Sequence, residues 1–208
     1  MGVDELGPFF AVEEVGGEGW RTLDELVHGT GLAERVDFTR RALAERARVE
    51  VEERVAASTA SLGIFARLLS PVIGAALLEV PAPSDPRWQA GEAGPLRLAA
   101  TTRADPEVVG LIDTTLAPLV DRLAADHGVS ATIGWGNAVS AVHGACRMAA
   151  QAAPTLRPRA ADLLADLLRH PRLADTADLG PPLVRRSCCL YYRLPGGGYC
   201  GDCVLAHR

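Results

Sequence analysis

Four of the five cysteines lie near the C-terminus. Cys188 and Cys189 are adjacent, ten residues follow, and Cys200 and Cys203 enclose a Gly-Asp pair. Four thiols at such short spacing have three physical explanations: a tetrathiolate metal site, a pair of disulfides or a catalytic dithiol. These cysteines are the most specific chemical feature of the chain.

The start of the chain and its charge narrow these explanations. MGVDELGPFFAVEE lacks a basic segment followed by an apolar stretch, so it predicts no secretory signal peptide, and no run of about 18 apolar residues predicts a membrane span. We therefore expect a cytoplasmic protein, and in a reducing cytosol clustered cysteines are more often metal-binding or catalytic than disulfide-bonded. The net charge of −5 argues against general nucleic-acid binding, which normally requires a basic surface.

Zinc and iron–sulfur clusters both accept four thiolates. Structural zinc sites usually take their thiols from two Cys-x-x-Cys turns, whereas here only Cys200 and Cys203 have that spacing. The adjacent pair, Cys188 and Cys189, suits a cluster with two separated metal atoms better than one tetrahedral ion. A [2Fe–2S] centre is the better fit, and the alternative is a helical protein whose Cys₄ tail binds structural zinc and acts in protein interaction.

The elements that must position these thiols are mostly helical. Apolar residues recur at helical spacing from Leu32 to Leu69, which predicts one long helix or two in series. Ser70 and Pro71 predict a sharp turn and a new helix, with serine as the N-cap and proline in the first turn. The composition of Pro81 to Pro95 predicts a loop, and residues 96–100 predict at most a short strand.

Three further helices are predicted downstream. One begins at Asp105 and should be kinked by Pro118, which lacks a backbone donor. The next begins at Ser130 or Asn137 and carries Cys146 on its apolar face, where a free cysteine is expected to pack in the core. Residues 159–170 form the third, which is amphipathic.

From residue 181 the composition shifts to arginine, cysteine, tyrosine and glycine. So short a segment cannot bury enough surface to fold unaided, and a metal held by four thiolates would stabilise it. We predict a mainly α fold with minor β content. Residues 1–180 would form a helical body that binds the substrate, and residues 181–208 would form a small Cys₄ iron–sulfur module.

The segment RRSCCLYYRLPGGGYCGDC resembles the C-terminal signature of the FhuF-type ferric-siderophore reductases, in which Cys-Cys, ten residues, Cys, two residues and Cys bind a [2Fe–2S] cluster. The spacing agrees at every cysteine. Upstream, Val51 to Leu78 and the Trp135-Gly136-Asn137 sequence resemble segments of the same family.

The resemblance implies an oxidoreductase that passes one electron from the cluster to the iron of a ferric siderophore and releases Fe(II). It implies that Cys188, Cys189, Cys200 and Cys203 bind the cluster. No glycine-rich nucleotide-binding sequence follows a strand, so a separate electron donor is expected, such as a ferredoxin, a flavoprotein or another reductase. An iron–sulfur electron carrier or sensor without a siderophore substrate is a third interpretation.

Other residues near the motif have candidate roles. Arg185, Arg186 and Arg193 would raise the cluster potential or attract an anionic ferric complex, unless they form a solvated basic turn. Trp135 and Asn137 would contact the siderophore, unless they only form a turn that caps a helix. The tyrosines of the module are expected to pack it onto the helical body, and they are Tyr191, Tyr192 and Tyr199.

Overall fold

The computed structural model of the chain describes residues 1–91 and 94–207. Within these residues helices predominate and strands are short, which confirms the predicted mainly α fold. The helices are α1 (Leu23–Val27), α2 (Gly31–Ala47), α3 (Glu53–Leu78), α4 (Val108–Leu111), α5 (Ala117–His127), α6 (Ala131–Ala152) and α7 (Arg157–Leu167). The strands are β1 (Arg21–Thr22), β2 (Ala82–Ser84), β3 (Arg87–Gln89), β4 (Arg97–Ala99), β5 (Thr102–Ala104), β6 (Ala177–Asp178) and β7 (Val184–Arg185).

The first long helical segment is two helices in series, as one of the two alternatives predicted. Helix α2 ends where Arg48 adopts a left-handed conformation with φ of 55°, and α3 begins at Glu53. The predicted turn at Ser70 is wrong, because α3 continues through Pro71. A proline in a helix interior costs about 3 kcal/mol.

Burial explains why α3 is not interrupted. Leu69, Ile73 and Leu77 flank the proline and have almost no exposed surface. Burying each of these side chains contributes about 1.5–3 kcal/mol, which together exceeds the cost of the proline. The Ser70 hydroxyl donates to the carbonyl oxygen of Ala66, 2.6 Å away, and so serves the helix interior and caps nothing.

The predicted helix start at Asp105 is wrong, because the helix begins at Val108, and in place of a kink at Pro118 the structure has one π-helical turn just before it. This turn spans Ile112–Leu116 between α4 and α5, and Pro118 occupies the first turn of α5. Proline cannot donate the hydrogen bond that would continue an α-helix across this point, so the wider turn accommodates its missing donor.

Helices α3 and α6 form the central pair of the core, with α2, α5 and α7 packed around them. Ser130, one of the two predicted start positions, is the N-cap of α6, and Asn137 lies inside the helix. Cys146 is buried on the apolar face of α6, as predicted.

Over the described ranges, the strands form three small sheets beside the helices. Strands β1, β3 and β4 form an antiparallel sheet, β2 pairs with β5, and β6 pairs with β7. The predicted Pro81 to Pro95 loop therefore contains two short strands, and its residues 92–93 lie outside the described residues. Trp88 on β3 is fully buried and its indole N–H donates to the carbonyl of Thr22, 2.8 Å away.

The predicted boundary between body and module falls between the paired strands β6 and β7. On β7, the amide of Arg185 donates to the carbonyl of Asp202, 2.9 Å away, which folds the two halves of the cysteine segment together. The division into two domains at residue 180 stays a prediction.

In the described part of the chain, one helix is long and apolar enough to cross a bilayer by length and composition alone. This helix is α3, and 67% of its most apolar window is buried by the rest of the protein. A core helix of a globular fold has the same properties.

Candidate functional site

The four C-terminal thiols lie in two close pairs. The Sγ atoms of Cys189 and Cys200 are 3.9 Å apart, and those of Cys188 and Cys203 are 3.8 Å apart. Each pair combines one member of the adjacent Cys-Cys with one member of the Cys-x-x-Cys turn. Cys189 and Cys203 are buried, whereas Cys188 and Cys200 are partly exposed.

The distance within each pair fits a shared metal atom. A metal with tetrahedral geometry and thiolate bonds of about 2.3 Å places two of its sulfurs about 3.8 Å apart. No group of three or more histidine, cysteine, aspartate or glutamate side chains among the described residues is arranged to hold a single metal ion. Two thiol pairs at these separations fit a [2Fe–2S] centre, in which each iron takes two thiolates.

A short loop carries the chain from one half of the motif to the other. After Cys189 it forms a 3₁₀ turn over Tyr191–Arg193, and it then passes through three glycines. A Cβ atom at Gly197 would overlap the carbonyl oxygen of Tyr191, so only glycine allows this close approach of the backbone. The amide of Leu190 points at the Sγ of Cys188, 3.4 Å away.

Arg185 is the charged group closest to the thiols, and its side chain has no exposed surface. Its Nη2 donates to the Sγ of Cys200 at 2.7 Å and to the Oδ1 of Asp202 at 3.2 Å. Its Nε lies 3.0 Å from the Oδ2 of Asp202, an ion-pair contact without the alignment of a hydrogen bond. A buried arginine is thus paired with a carboxylate beside a ligand sulfur.

Asn137 connects Arg185 to the helical core. Its Oδ1 accepts a hydrogen bond from Nη1 of Arg185 at 2.9 Å. Its Nδ2 contacts the carbonyl and hydroxyl oxygens of Ser58 at 3.0 and 3.1 Å and the hydroxyl of Ser61 at 3.0 Å. The Ser58 hydroxyl in turn donates to the carbonyl of Cys189 at 2.8 Å. A continuous polar network therefore joins α3, α6 and the cysteine segment.

Gly136 lets the cysteine segment approach α6. A Cβ atom at this position would overlap the hydroxyl of Ser187, which is buried against the helix. The neighbouring Trp135 is half-buried and lies under the guanidinium of Arg172, 5.4 Å from its ring centroid. Gly136 and Asn137 of this Trp-Gly-Asn sequence thus form part of the surface on which the module packs.

Charge in this network is balanced. Burial opposes the ionisation of Asp202, but hydrogen bonding by Ser140 and the charge of Arg185 lower the pKa of the Asp202 carboxyl. Burial likewise opposes the charge of Arg185, but the facing Asp202 carboxylate, together with the Cys200 and Cys189 sulfurs, outweighs burial and raises the pKa of the guanidinium. Both groups are therefore ionised and form a buried ion pair.

The pKa values of the thiols depend on the neighbouring thiols and on the charge of Arg185. A hydrogen bond from Cys200, together with the Tyr191 amide and the charge of Arg185, lowers the pKa of the Cys189 thiol to about 5 against the effect of burial. Sharing that proton with Cys189 and burial both raise the pKa of Cys200. Burial raises the pKa of Cys188 to about 11. The Cys189–Cys200 pair is thus the one that faces positive charge.

The predicted substrate residues separate into two groups, and two of them require correction. Arg185 and Asn137 each have 0% of their surface exposed, so a siderophore has no access to them, and they support the thiols from inside. Arg186 pairs with Asp175 and Asp178 on the surface.

Arg193 and Trp135 lie away from the buried network. Arg193 pairs with Glu52 at the start of α3, 3.0 Å away. Trp135 packs under Arg172. For Arg186, Arg193 and Trp135, contact with substrate stays a prediction.

The three tyrosines do not all pack as predicted. Tyr191 lies against a small apolar cluster with Val51 and Val55. Tyr192 and Tyr199 are 43% and 59% exposed and face each other with ring centroids 6.0 Å apart. They lie on the outside of the module because Tyr191 alone meets the apolar end of α3.

Sequence reasoning missed Ser58, Ser61 and Asp202 as parts of the site. The two serines interrupt an otherwise apolar stretch of α3 at a spacing of three, which places them on one helix face. Buried polar residues at such spacing require partners, and this was the available signal. Asp202 lies inside the cysteine motif itself.

An apolar cavity of about 340 Å³ lies along the other half of α3. Its walls include Leu68, Pro71 and Val72, and none of the four thiols or Arg185 lines it. Leu68 follows Ser58 by ten residues, which corresponds to about 15 Å along a helix. The cavity is therefore separate from the thiol pairs.

Comparison with known proteins agrees with this geometry. A family model described as "Ferric iron reductase FhuF-like transporter" matches residues 66–186, more than half of the chain. A second, described as "FhuF 2Fe-2S C-terminal domain", matches residues 185–205, which contain all four thiols and Arg185. A search of curated proteins found no match. The chain therefore belongs to the FhuF-like ferric iron reductase family and carries the family's [2Fe–2S] C-terminal domain.

Proposed function

We propose that this protein is a cytoplasmic ferric-siderophore reductase that receives electrons from a separate donor protein. Cys188, Cys189, Cys200 and Cys203 hold the cluster. A [2Fe–2S] cluster held by these thiolates would supply the one electron that reduces the Fe³⁺ of the chelate, so that Fe²⁺ leaves the siderophore. The observation that carries the proposal is the arrangement of the thiols in two pairs. In each pair the Sγ–Sγ distance, 3.9 or 3.8 Å, matches that between two thiolates bound to one tetrahedral metal atom.

One-electron reduction is sufficient chemistry for iron release. Siderophore oxygens are hard ligands that hold Fe³⁺ far more tightly than Fe²⁺, so the reduced ion dissociates. No covalent intermediate or general base is needed. The chain's task is to hold the four sulfurs, to limit water around them and to stabilise the negative charge that reduction adds.

The surroundings of the thiols serve these tasks. Burial of Cys189 and Cys203 shields one sulfur of each pair from water, and Cys188 and Cys200 leave one sulfur of each pair partly open. Electron exchange with a ferric chelate and with a donor requires such an approach to the surface. The exposed Tyr192 and Tyr199 flank the glycine loop in the sequence, and Tyr199 directly precedes Cys200.

The first experiment is metal analysis of anaerobically purified protein with visible spectra before and after dithionite. Bands that bleach on reduction, with about two irons and two sulfides per chain, are expected. The reduced protein is then mixed with a ferric siderophore and an Fe(II) trap, and its reoxidation is followed. The gallium complex of the same siderophore serves as a control because Ga³⁺ is not reduced.

Two outcomes would contradict the proposal at different levels. A colourless protein with one zinc per chain would mean a structural metal module. A reducible cluster that transfers no electron to any ferric siderophore would leave an electron carrier or sensor, the third interpretation of the sequence.

A further inference from the structure

The side-chain amide of Asn137 can have only one orientation. Its Nδ2 lies 3.0 Å from the carbonyl oxygen of Ser58, which can only accept a hydrogen bond. The amide nitrogen must therefore face α3, and the amide oxygen must face Arg185. Because Asn137 has no exposed surface, water does not compete for these contacts.

This orientation determines where the Arg185 guanidinium points. The guanidinium is planar and rigid, so fixing two of its nitrogens fixes the third. Asn137 accepts from Nη1, and the two oxygens of the Asp202 carboxylate lie 3.0 Å from Nε and 3.2 Å from Nη2. Nη2 is then directed at the Sγ of Cys200, 2.7 Å away.

A cationic donor at a ligand sulfur favours the reduced form of an iron–sulfur cluster. Reduction adds one negative charge, and hydrogen bonds to the sulfurs stabilise that charge and raise the reduction potential. Arg185 is buried, so solvent and salt screen its effect weakly. Small changes in its direction therefore alter the potential.

We propose that Asn137 is a positioning residue that aims Arg185 at the Cys200 sulfur and so raises the reduction potential of the cluster. In this proposal the helical body sets the reduction potential of the cluster in the C-terminal segment. It does so through Asn137 on α6, which Ser58 and Ser61 on α3 hold in place. The inference rests on the [2Fe–2S] cofactor and on no property of the substrate, so it can fail or hold independently of siderophore reduction.

The test is a double-substitution cycle with the reduction potential as the readout. The variants are Asn137→Leu, Arg185→Gln and both together, each reconstituted with iron and sulfide and titrated anaerobically through the visible bands. Asn137→Leu keeps the branched shape of the side chain, although its methyl groups are larger than the amide atoms, and it removes the hydrogen bonds. Both single variants should have a lower potential than the parent. The double variant should match Arg185→Gln, because Asn137 changes the potential through Arg185 in this proposal, and its other contacts, to Ser58 and Ser61, include no sulfur.

A matched control tests whether removing any polar side-chain group from this part of α3 lowers the potential. The control is Thr59→Ala, next to Ser58 on α3. Within the described part of the chain, the Thr59 hydroxyl bonds only to the Val55 carbonyl of its own helix, 2.9 Å away. Its potential should equal that of the parent. Where Asn137→Leu loads poorly, Asn137→Ser is used, because its short hydroxyl cannot reach the guanidinium.

A purely structural role gives a different pattern. Asn137 variants would then load less cluster or lose it sooner, while the loaded fraction keeps the parental potential. That result, or a double variant whose potential falls by the sum of the two single shifts, overturns the proposal. The visible circular dichroism of each loaded variant checks that the cluster environment is otherwise the same.

Discussion

The hydroxyl of Ser58 donates a hydrogen bond to the backbone carbonyl of Cys189, 2.8 Å away, although the two residues are 131 positions apart in the chain. Ser58 lies near the start of the central helix α3 and has no exposed surface. This bond ties a predicted ligand directly to the core helix, so the thiol pairs depend on the helical body for their position.

Ser58→Ala should accelerate cluster loss. The change removes the donor for the Cys189 carbonyl, and an unsatisfied buried group costs about 1–3 kcal/mol. Bleaching of the visible bands by an iron chelator measures the rate, with Thr59→Ala as the control on the same helix. Equal rates in the two variants would show that the Ser58 bond does not hold the site together.

Single substitution of a thiol should abolish the cluster. In Cys188→Ser or Cys203→Ser one of the two close pairs loses a sulfur, so one iron lacks a thiolate. Visible absorption and siderophore-dependent Fe(II) release should disappear while far-ultraviolet circular dichroism keeps most of its helix signal. Cys146→Ser is the matched control and should retain the cluster. Parental reduction rates in either ligand variant would disprove the assignment of these thiols.

Gly136→Ala should destabilise the contact between α6 and the cysteine segment. The new Cβ would overlap the Ser187 hydroxyl, and overpacking of this kind costs about 1–3 kcal/mol. Ser187→Ala alone should be nearly neutral, since its buried hydroxyl has no hydrogen-bond partner among residues 1–91 and 94–207. Combined with Gly136→Ala it should recover most of the loss in melting temperature. Independent, additive effects would mean that the two side chains do not meet.

Arg67 should prove to be structural. Its guanidinium is buried and donates to the carbonyls of Leu96, Phe9 and Ala11, at 2.7, 2.5 and 3.0 Å. Arg67→Met leaves these oxygens without that donor and should lower the unfolding free energy by about 2–4 kcal/mol. Urea denaturation measures this, with the exposed Arg54→Met as the control. A change in the cluster spectrum without a loss of stability would instead place Arg67 in the redox site.

Cys146 should resist alkylation in the native protein. Burial raises the pKa of its thiol to about 12, so at pH 8 the reactive thiolate is almost absent. Peptide mapping after iodoacetamide treatment should show Cys146 unmodified before, and modified after, denaturation. Rapid labelling of the folded protein would mean that α6 opens at this position.

The sequence alone was sufficient for the cofactor and for most helices. Thiol ligation depends on residue type and short spacing, and Cys188, Cys189, Cys200 and Cys203 lie within sixteen residues of one another. Helices follow from apolar periodicity, which is also local. The burial of Cys146 was predictable on the same grounds, whereas the sequence left the start of α6 open between Ser130 and Asn137 and the structure decided for Ser130.

Local signals failed where burial competed with them. Ser70 and Pro71 have the composition of a helix start, yet α3 continues through them because the side chains around the proline are buried on both sides. The free energy of that burial depends on neighbours supplied by other helices. A prediction from adjacent residues alone therefore misses the free energy that keeps α3 continuous.

Only the tertiary structure decided which residues support the thiols. Asn137 and Arg185 are 48 positions apart and each has a plausible surface role in the sequence, but the fold buries both and joins them 2.9 Å apart. Their meeting depends on the packing of β7 against α6, which Gly136 permits by lacking a side chain. The spacing of cysteines thus determines what the chain binds, and long-range packing determines the charge and hydrogen bonds around it, because those come from residues that are distant in sequence.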